Sequence, residues 1–175
     1  MGVTGIENEA FRGCTDLTSI IIPDSVTSIG GRAFCECTNL ASMAIPDSVT
    51  SIGYEAFESC TSLTSIIIPN SVTSIGDLTF SRCTSLTSVT FPASVTSIGW
   101  AVFNGCESLA SVMIPDSVMS IGYQAFSECK SLATVSYGGT KAQWEAMEIS
   151  SGSGLSGKTI YGKDSEGKDT TWSYN

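Results

Sequence analysis

The residues best able to do chemistry are seven cysteines, six of them at 14, 37, 60, 83, 106 and 129. Such a set suggests disulfides or a metal site. The constant step argues against both. Copies of one residue in a stacked chain sit about one strand spacing apart, at the edge of what a disulfide allows. Their side chains also point alike rather than at each other. A straight row cannot supply tetrahedral metal ligands. The row therefore reads as a ladder of buried free thiols acting as small apolar side chains. Cys35 stands outside the ladder and is expected to be exposed.

Other chemistry finds little support. The chain has no His, so Ser–His and Cys–His arrangements are impossible. Asp24, Asp47 and Asp116 would stack at one turn, where turn chemistry and solvated charge explain them. The repeated glycines are spread one per coil and form no phosphate loop. No catalytic, cofactor-binding or metal-ligating residues are assigned, and an enzyme is not expected. The net charge is −9, with only eight Lys and Arg. Residues 1–137 hold twelve acids and four bases; residues 138–175 hold five and four. Such a balance gives no footprint for nucleic acid or an anionic membrane. No apolar run reaches the ~18 residues of a membrane span. The opening "MGVTGIENEAF" lacks the basic start and apolar core of a signal peptide.

These residues are positioned by a repeat. "IPDSVTSIG" fills 22–30 and returns at 45–53, then as "IPNSVTSIG" at 68, "FPASVTSIG" at 91 and "IPDSVMSIG" at 114. Phe recurs at 11, 34, 57, 80, 103 and 126, and Leu at 17, 40, 63, 86, 109 and 132. The step is 23 throughout, which means a stacked solenoid intolerant of insertions. Within a coil, "LTSIII" has strand periodicity with Ile20 and Ile22 inward. Pro23 stops the strand, and "IPDS" suits a type I turn with Pro second and Asp third. Val26 and Ile29 turn inward from a short second strand. Gly30 and its copies at 53, 76, 99 and 122 are expected to take positive φ. "RAFCEC" reads as one helical turn with Ala33 and Phe34 inward. The fold class is thus a parallel β-solenoid of about five and a half 23-residue coils, with short helical turns on the other side and a C-terminal capping segment.

Two stripes would face outward. One is the strand face: Ser19, Ser42, Ser65, Ser88 and Ser111, beside Ile21, Ala44, Ile67, Thr90 and Met113. An apolar row facing water suggests a binding surface; a face tolerant of small residues is the plainer reading. The other holds Tyr54, Trp100 and Tyr123, which serve recognition or lean on a neighbouring coil. A row of Thr at 27, 50, 73 and 96 is broken by Met119, which weakens an ice- or crystal-binding reading.

The pattern "LxxIxIPxSVxxIGxxAFxxC" over residues 3–137 resembles the BspA-type, or Treponema pallidum class, leucine-rich repeats. The tail "VSYGGTKAQWEAMEI…KTIYG" is similar to the segment that closes such arrays. The resemblance implies a curved solenoid with the strand face concave, from secreted or cell-surface proteins similar to adhesins. It implies a macromolecular partner, a host or microbial protein or a glycan, and no cofactor. A monomer is expected.

Val3 aligns with Val26, so the array opens mid-repeat and reads as a fragment of a longer protein. The expected division is an array over 1–137 and a cap over 138–175, with a helix at 140–147 N-capped by Thr140, a strand at "KTIYG" and a hairpin about "SEGK". The function expected is an adhesin-like interaction module; the alternative is a structural spacer presenting another domain.

Overall fold

The computed structural model describes residues 2–175, and in them the chain winds as a parallel β-solenoid of about seven turns. Each coil contributes three walls. The front wall is built from Ser19–Ile21, Ser42–Ala44, Ser65–Ile67, Ser88–Thr90, Ser111–Ile114, Thr134–Thr140 and Thr159–Lys163. Their pairing is parallel and steps by one repeat, as Ser19 to Ser42 and Ser88 to Ser111. Regular pairing lapses between Ala44 and Ser65, where the Thr64 N–H still donates to the Ala41 carbonyl. The second wall stacks Gly5–Ile6, Ser28–Ile29, Ser51–Ile52 and Ser74–Ile75, then Ser97–Ile98, Ser120–Ile121 and Glu148–Ile149.

The alternation decides what is buried. Ile66, Ile68, Val89, Phe91, Val112 and Ile114 point into the core, and the residue between each pair points out. Inside, Phe11, Phe34, Phe57, Phe80, Phe103 and Phe126 stack as a column with ring centroids 5.2–5.5 Å apart. One Phe per coil stacks on its own copies, so the 23-residue step repeats this offset stacking throughout; Phe91 adds an edge-on contact to Phe103.

Three local expectations are corrected. The Val26 N–H donates to the Pro23 carbonyl at 3.0 Å, and Val49 to Pro46 likewise. Pro23 therefore opens the turn at its first position and Asp24 is second. The repeated glycines do not need positive φ. Gly53 and Gly76 are required by contact: a Cβ would lie 2.5 Å from the Gly31 nitrogen and 2.4 Å from the Tyr54 nitrogen, in the preceding coil. The left-handed conformation falls elsewhere, at Arg32 and Glu36 and their copies Glu55, Ser59, Leu78 and Arg82.

Those left-handed residues also remove the expected helical turn. Along the third wall, Cys35 and Cys37 donate to the carbonyls three residues back, Arg32 and Phe34. The intervening N–H groups of Arg32, Phe34 and Glu36 donate to the next coil, at Tyr54, Ala56 and Glu58. The wall is a run of turns, and half its donors bind coils together. On the other walls, the N–H groups of Thr27, Gly30 and Ala41 donate the opposite way, to Thr4, Ile6 and Thr18 of the preceding coil. Among the described residues the helix is Lys141–Ala146, with Thr140 and Gln143 forming a reciprocal capping box.

The chain after 137 continues the same walls. Thr134–Thr140 and Thr159–Lys163 extend the front, and Asp169–Ser173 adds an antiparallel edge strand, completing a hairpin. Trp144 is buried edge-on against Tyr137, Trp172 and Tyr174. No helix among the described residues is long and apolar enough to cross a membrane.

Candidate functional site: the front sheet

The front wall brings the first stripe together as drawn from the sequence. Ser19, Ser42, Ser65, Ser88 and Ser111 are all exposed, as are Ile21, Ala44, Ile67, Thr90 and Met113. Ile21 is 94 % exposed, Ile67 70 % and Met113 54 %. A strand positions these side chains rigidly, because its other face is anchored in the core.

The repeated Ser and Thr columns divide by hydrogen bonding. Ser25, Ser48, Ser71, Ser94 and Ser117 donate to the carbonyls of Val3, Val26, Val49, Val72 and Val95 at 2.5–2.8 Å. Thr27 and Thr50 likewise donate to Thr4 and Thr27. Those hydroxyls hold coil to coil. Among the described residues the front column, Ser19 to Ser111, has no such partner, and its hydroxyls remain free to give or accept.

Two residues that sequence reasoning missed extend the face. Ser136 pairs with Met113, and Tyr161 pairs with Ser136. A groove of about 700 Å³ lies over them, lined by Met113, Ser136, Gly138, Tyr161 and Thr171 among others. The step from Ser136 to Tyr161 is 25 residues and contains a helix, so the 23-residue period does not reveal it. A smaller groove of about 480 Å³ lies over Ala44, between Ser19, Ser42 and Ile67.

The second stripe is a separate region at the head of the turn wall. Tyr54, Trp100 and Tyr123 are each about half exposed. Tyr54 covers Gly31, where a Cβ would meet its ring at 2.4 Å, and stacks with the Arg32 guanidinium 5.5 Å from its centroid. Tyr123 covers Gly152 in the same way. Two of the three aromatics therefore pack on adjacent coils.

The cysteines are all free. Cys37, Cys60, Cys83, Cys106 and Cys129 are buried, and each donates its thiol to a Phe carbonyl of the preceding coil at 3.0–3.2 Å. Burial pushes Cys37 up to about 11 and Cys129 up to about 12, and raises Cys60, Cys83 and Cys106 as well. The expectation for Cys35 is overturned: it is buried, and Cys14 is the exposed thiol. The left-handed Arg32 and Glu36 fold position 35 against the next coil, with its thiol 3.8 Å from the Glu58 carboxylate. Asp24, Asp47 and Asp116 are exposed at their turns.

Known proteins share this architecture. The model of the BspA type leucine rich repeat region matches six copies over residues 4–133. The Treponema pallidum leucine-rich-repeat protein is 36 % identical with a TM-score of 0.75, over 79 % of this chain and 68 % of that one. A leucine-rich cell surface protein of Faecalibacterium prausnitzii is 31 % identical with a TM-score of 0.51, over 86 % of this chain and 55 % of that one. The pneumococcal vaccine antigen PcpA shares the fold, with a TM-score of 0.64 at 24 % identity, over 98 % of this chain and 40 % of that one. No curated protein matches the chain. The six matched copies and the Treponema likeness place this chain in the BspA-type leucine-rich-repeat family.

Proposed function

We propose that the chain is an extracellular or cell-surface interaction module whose front sheet docks a macromolecular ligand, a host or microbial protein or a glycan. The observation that carries this reading is the exposed column of Ile21, Ile67 and Met113 beside hydroxyls with no internal partner. An outward isoleucine exposed to 70 % gains nothing for the fold; its burial in a complex is favourable. Residues 1–137 act as the array and 138–175 as its closing segment. The module works as a monomer, without cofactor or catalysis.

A structural spacer is the second reading. The Ser25 and Thr27 columns favour it, because their inter-coil hydrogen bonds explain repeated polar letters without any ligand. A glycan and host-protein array probed with this chain separates the two. Binding, weakened by more than ~1 kcal/mol in Ile67→Asp, supports the module. Binding lost instead in Tyr54→Ala, Trp100→Ala or Tyr123→Ala moves the contact to the turn wall. No binding across the array supports the spacer.

A further inference from the structure

The outward column of the front sheet alternates in size along the whole solenoid. Reading from the N-terminal end it runs Ile21, Ala44, Ile67, Thr90, Met113, Ser136, Tyr161; Ile21 pairs with Ala44, the residues from Ile67 onward pair coil by coil, and Ala44 and Ile67 are related by the 23-residue step. Every second coil projects a large apolar side chain, and the coil between leaves a notch. The two front grooves lie over two of these notches, Ala44 and Ser136. With strands about 4.8 Å apart, notches repeat every ~9.6 Å.

That spacing selects among partner conformations. A β-strand laid along the axis presents same-face side chains every ~6.6 Å and misses the second notch by about 3 Å. An α-helix returns a side chain to the same face every seven residues, about 10.5 Å, and drifts by nearly 2 Å over three notches. A polyproline II helix has three residues per turn and a rise of about 3.1 Å, so every third side chain recurs at about 9.3 Å. It stays within about 0.6 Å of register across Ala44, Thr90 and Ser136. Its backbone carbonyls make no internal hydrogen bonds, and the free Ser42, Ser65, Ser88 and Ser111 hydroxyls stand beside the notches to donate to them.

Charge adds the rest of the ligand's chemistry. In residues 1–137 Arg12, Arg32 and Lys130 are held in ion pairs with Glu9, Glu55 and Glu107. Nine acids there have no ion-pair partner among the described residues, against the one base Arg82. Asp24, Asp47 and Asp116 among them stand at the corner where three of the front strands end, the two between carrying Asn70 and Ala93. Basic side chains on the ligand complement that edge.

Building on the interaction reading above, we infer that the front sheet receives a basic polyproline II segment with an apolar side chain at every third position, seated in the notches at Ala44, Thr90 and Ser136. The test uses a labelled peptide of repeated Leu-Pro-Lys units about 37 Å long. One control has the same composition with its Leu gathered at one end; another carries Glu for Lys. Fluorescence anisotropy should show the periodic basic peptide binding at least about ten-fold more tightly than either control. Ala44→Phe and Thr90→Phe fill two notches at exposed positions. Each should lose at least about ten-fold in affinity with the circular dichroism and melting temperature unchanged. Equal binding of the clustered peptide, or no binding at all, overturns the inference. If the periodic peptide fails but Ile67→Asp weakens a ligand found on the array, the front-sheet reading stands and the polyproline class falls.

Discussion

The thiol of Cys60 donates to the carbonyl of Phe34, 26 residues earlier, at 3.1 Å. That bond crosses from one coil to the next, and its copies run the length of the core. The same carbonyl also accepts the Cys37 N–H at 3.1 Å, so the thiol occupies its second lone pair. Cys60→Ala should cost roughly 1–2 kcal/mol, combining a lost hydrogen bond with a small cavity. Cys60→Ser, which keeps a donor, should recover part of it. Chemical denaturation of the two variants measures the difference.

The same ladder predicts a thiol count. Native protein should release one fast group, Cys14, to a colorimetric reagent, and the remaining six should react only in denaturant. A fast Cys35 would place its side chain outside the core and contradict the fold of the turn wall.

Raised thiol values also set a pH dependence. The folded state holds its buried thiol protons above the ordinary value of 9.0, while the unfolded chain releases them there. Above pH 9 the unfolded state therefore binds fewer protons, and stability falls as pH rises. The stabilisation is fully present below pH 9 and is lost between 9 and about 12. Melting temperatures from pH 7 to 11 should be flat at first and then drop, and the drop should be smaller in Cys60→Ala.

Ile66 and Ile67 are sequence neighbours with opposite fates, 2 % and 70 % exposed. Ile67→Asp should leave the melting temperature nearly unchanged. Ile66→Asp buries an unpaired carboxylate, a cost of several kcal/mol, and should unfold the chain. Similar melts for the two would mean the strand faces are misassigned.

Glycine contacts give a sharper contrast than glycine conformations. Gly76→Ala drives a Cβ into the backbone of the preceding coil and should cost about 3 kcal/mol or more. Gly13→Ala meets open space at φ +67 and should cost only about 1–2 kcal/mol. Equal penalties would mean that backbone strain, not packing, fixes the repeated glycine.

Much of this was legible because the period of two along "LTSIII" and the 23-residue step are both properties of the letters. Inward Phe34, Leu40 and Ile66 and outward Ile21 and Ile67 follow from them directly. The turn wall was not legible. A stretch such as "RAFCEC" carries helix-tolerant residues, and nothing local says that Arg32 and Glu36 adopt positive φ. That choice is made by hydrogen bonds to the next coil, a tertiary constraint. Cys35 was misplaced for the same reason. Ser136 lies one 23-residue step after Met113 and was legible in the period; Tyr161 was hidden because a helix interrupts the next step.

The hydrogen bonds between coils run in both directions; even on the front wall the Ile68 N–H donates forward to Thr90 and the Thr64 N–H back to Ala41. Donors on the turn wall, such as Phe34, point toward the C-terminal end, while Thr27, Gly30 and Ala41 point toward the N-terminal end. In an α-helix all peptide dipoles align and charge accumulates at the termini. Here the two directions oppose one another, so lengthening the stack builds up little axial field. Electrostatics then does not oppose added coils, and duplication of the 23-residue unit can lengthen the front sheet one strand at a time.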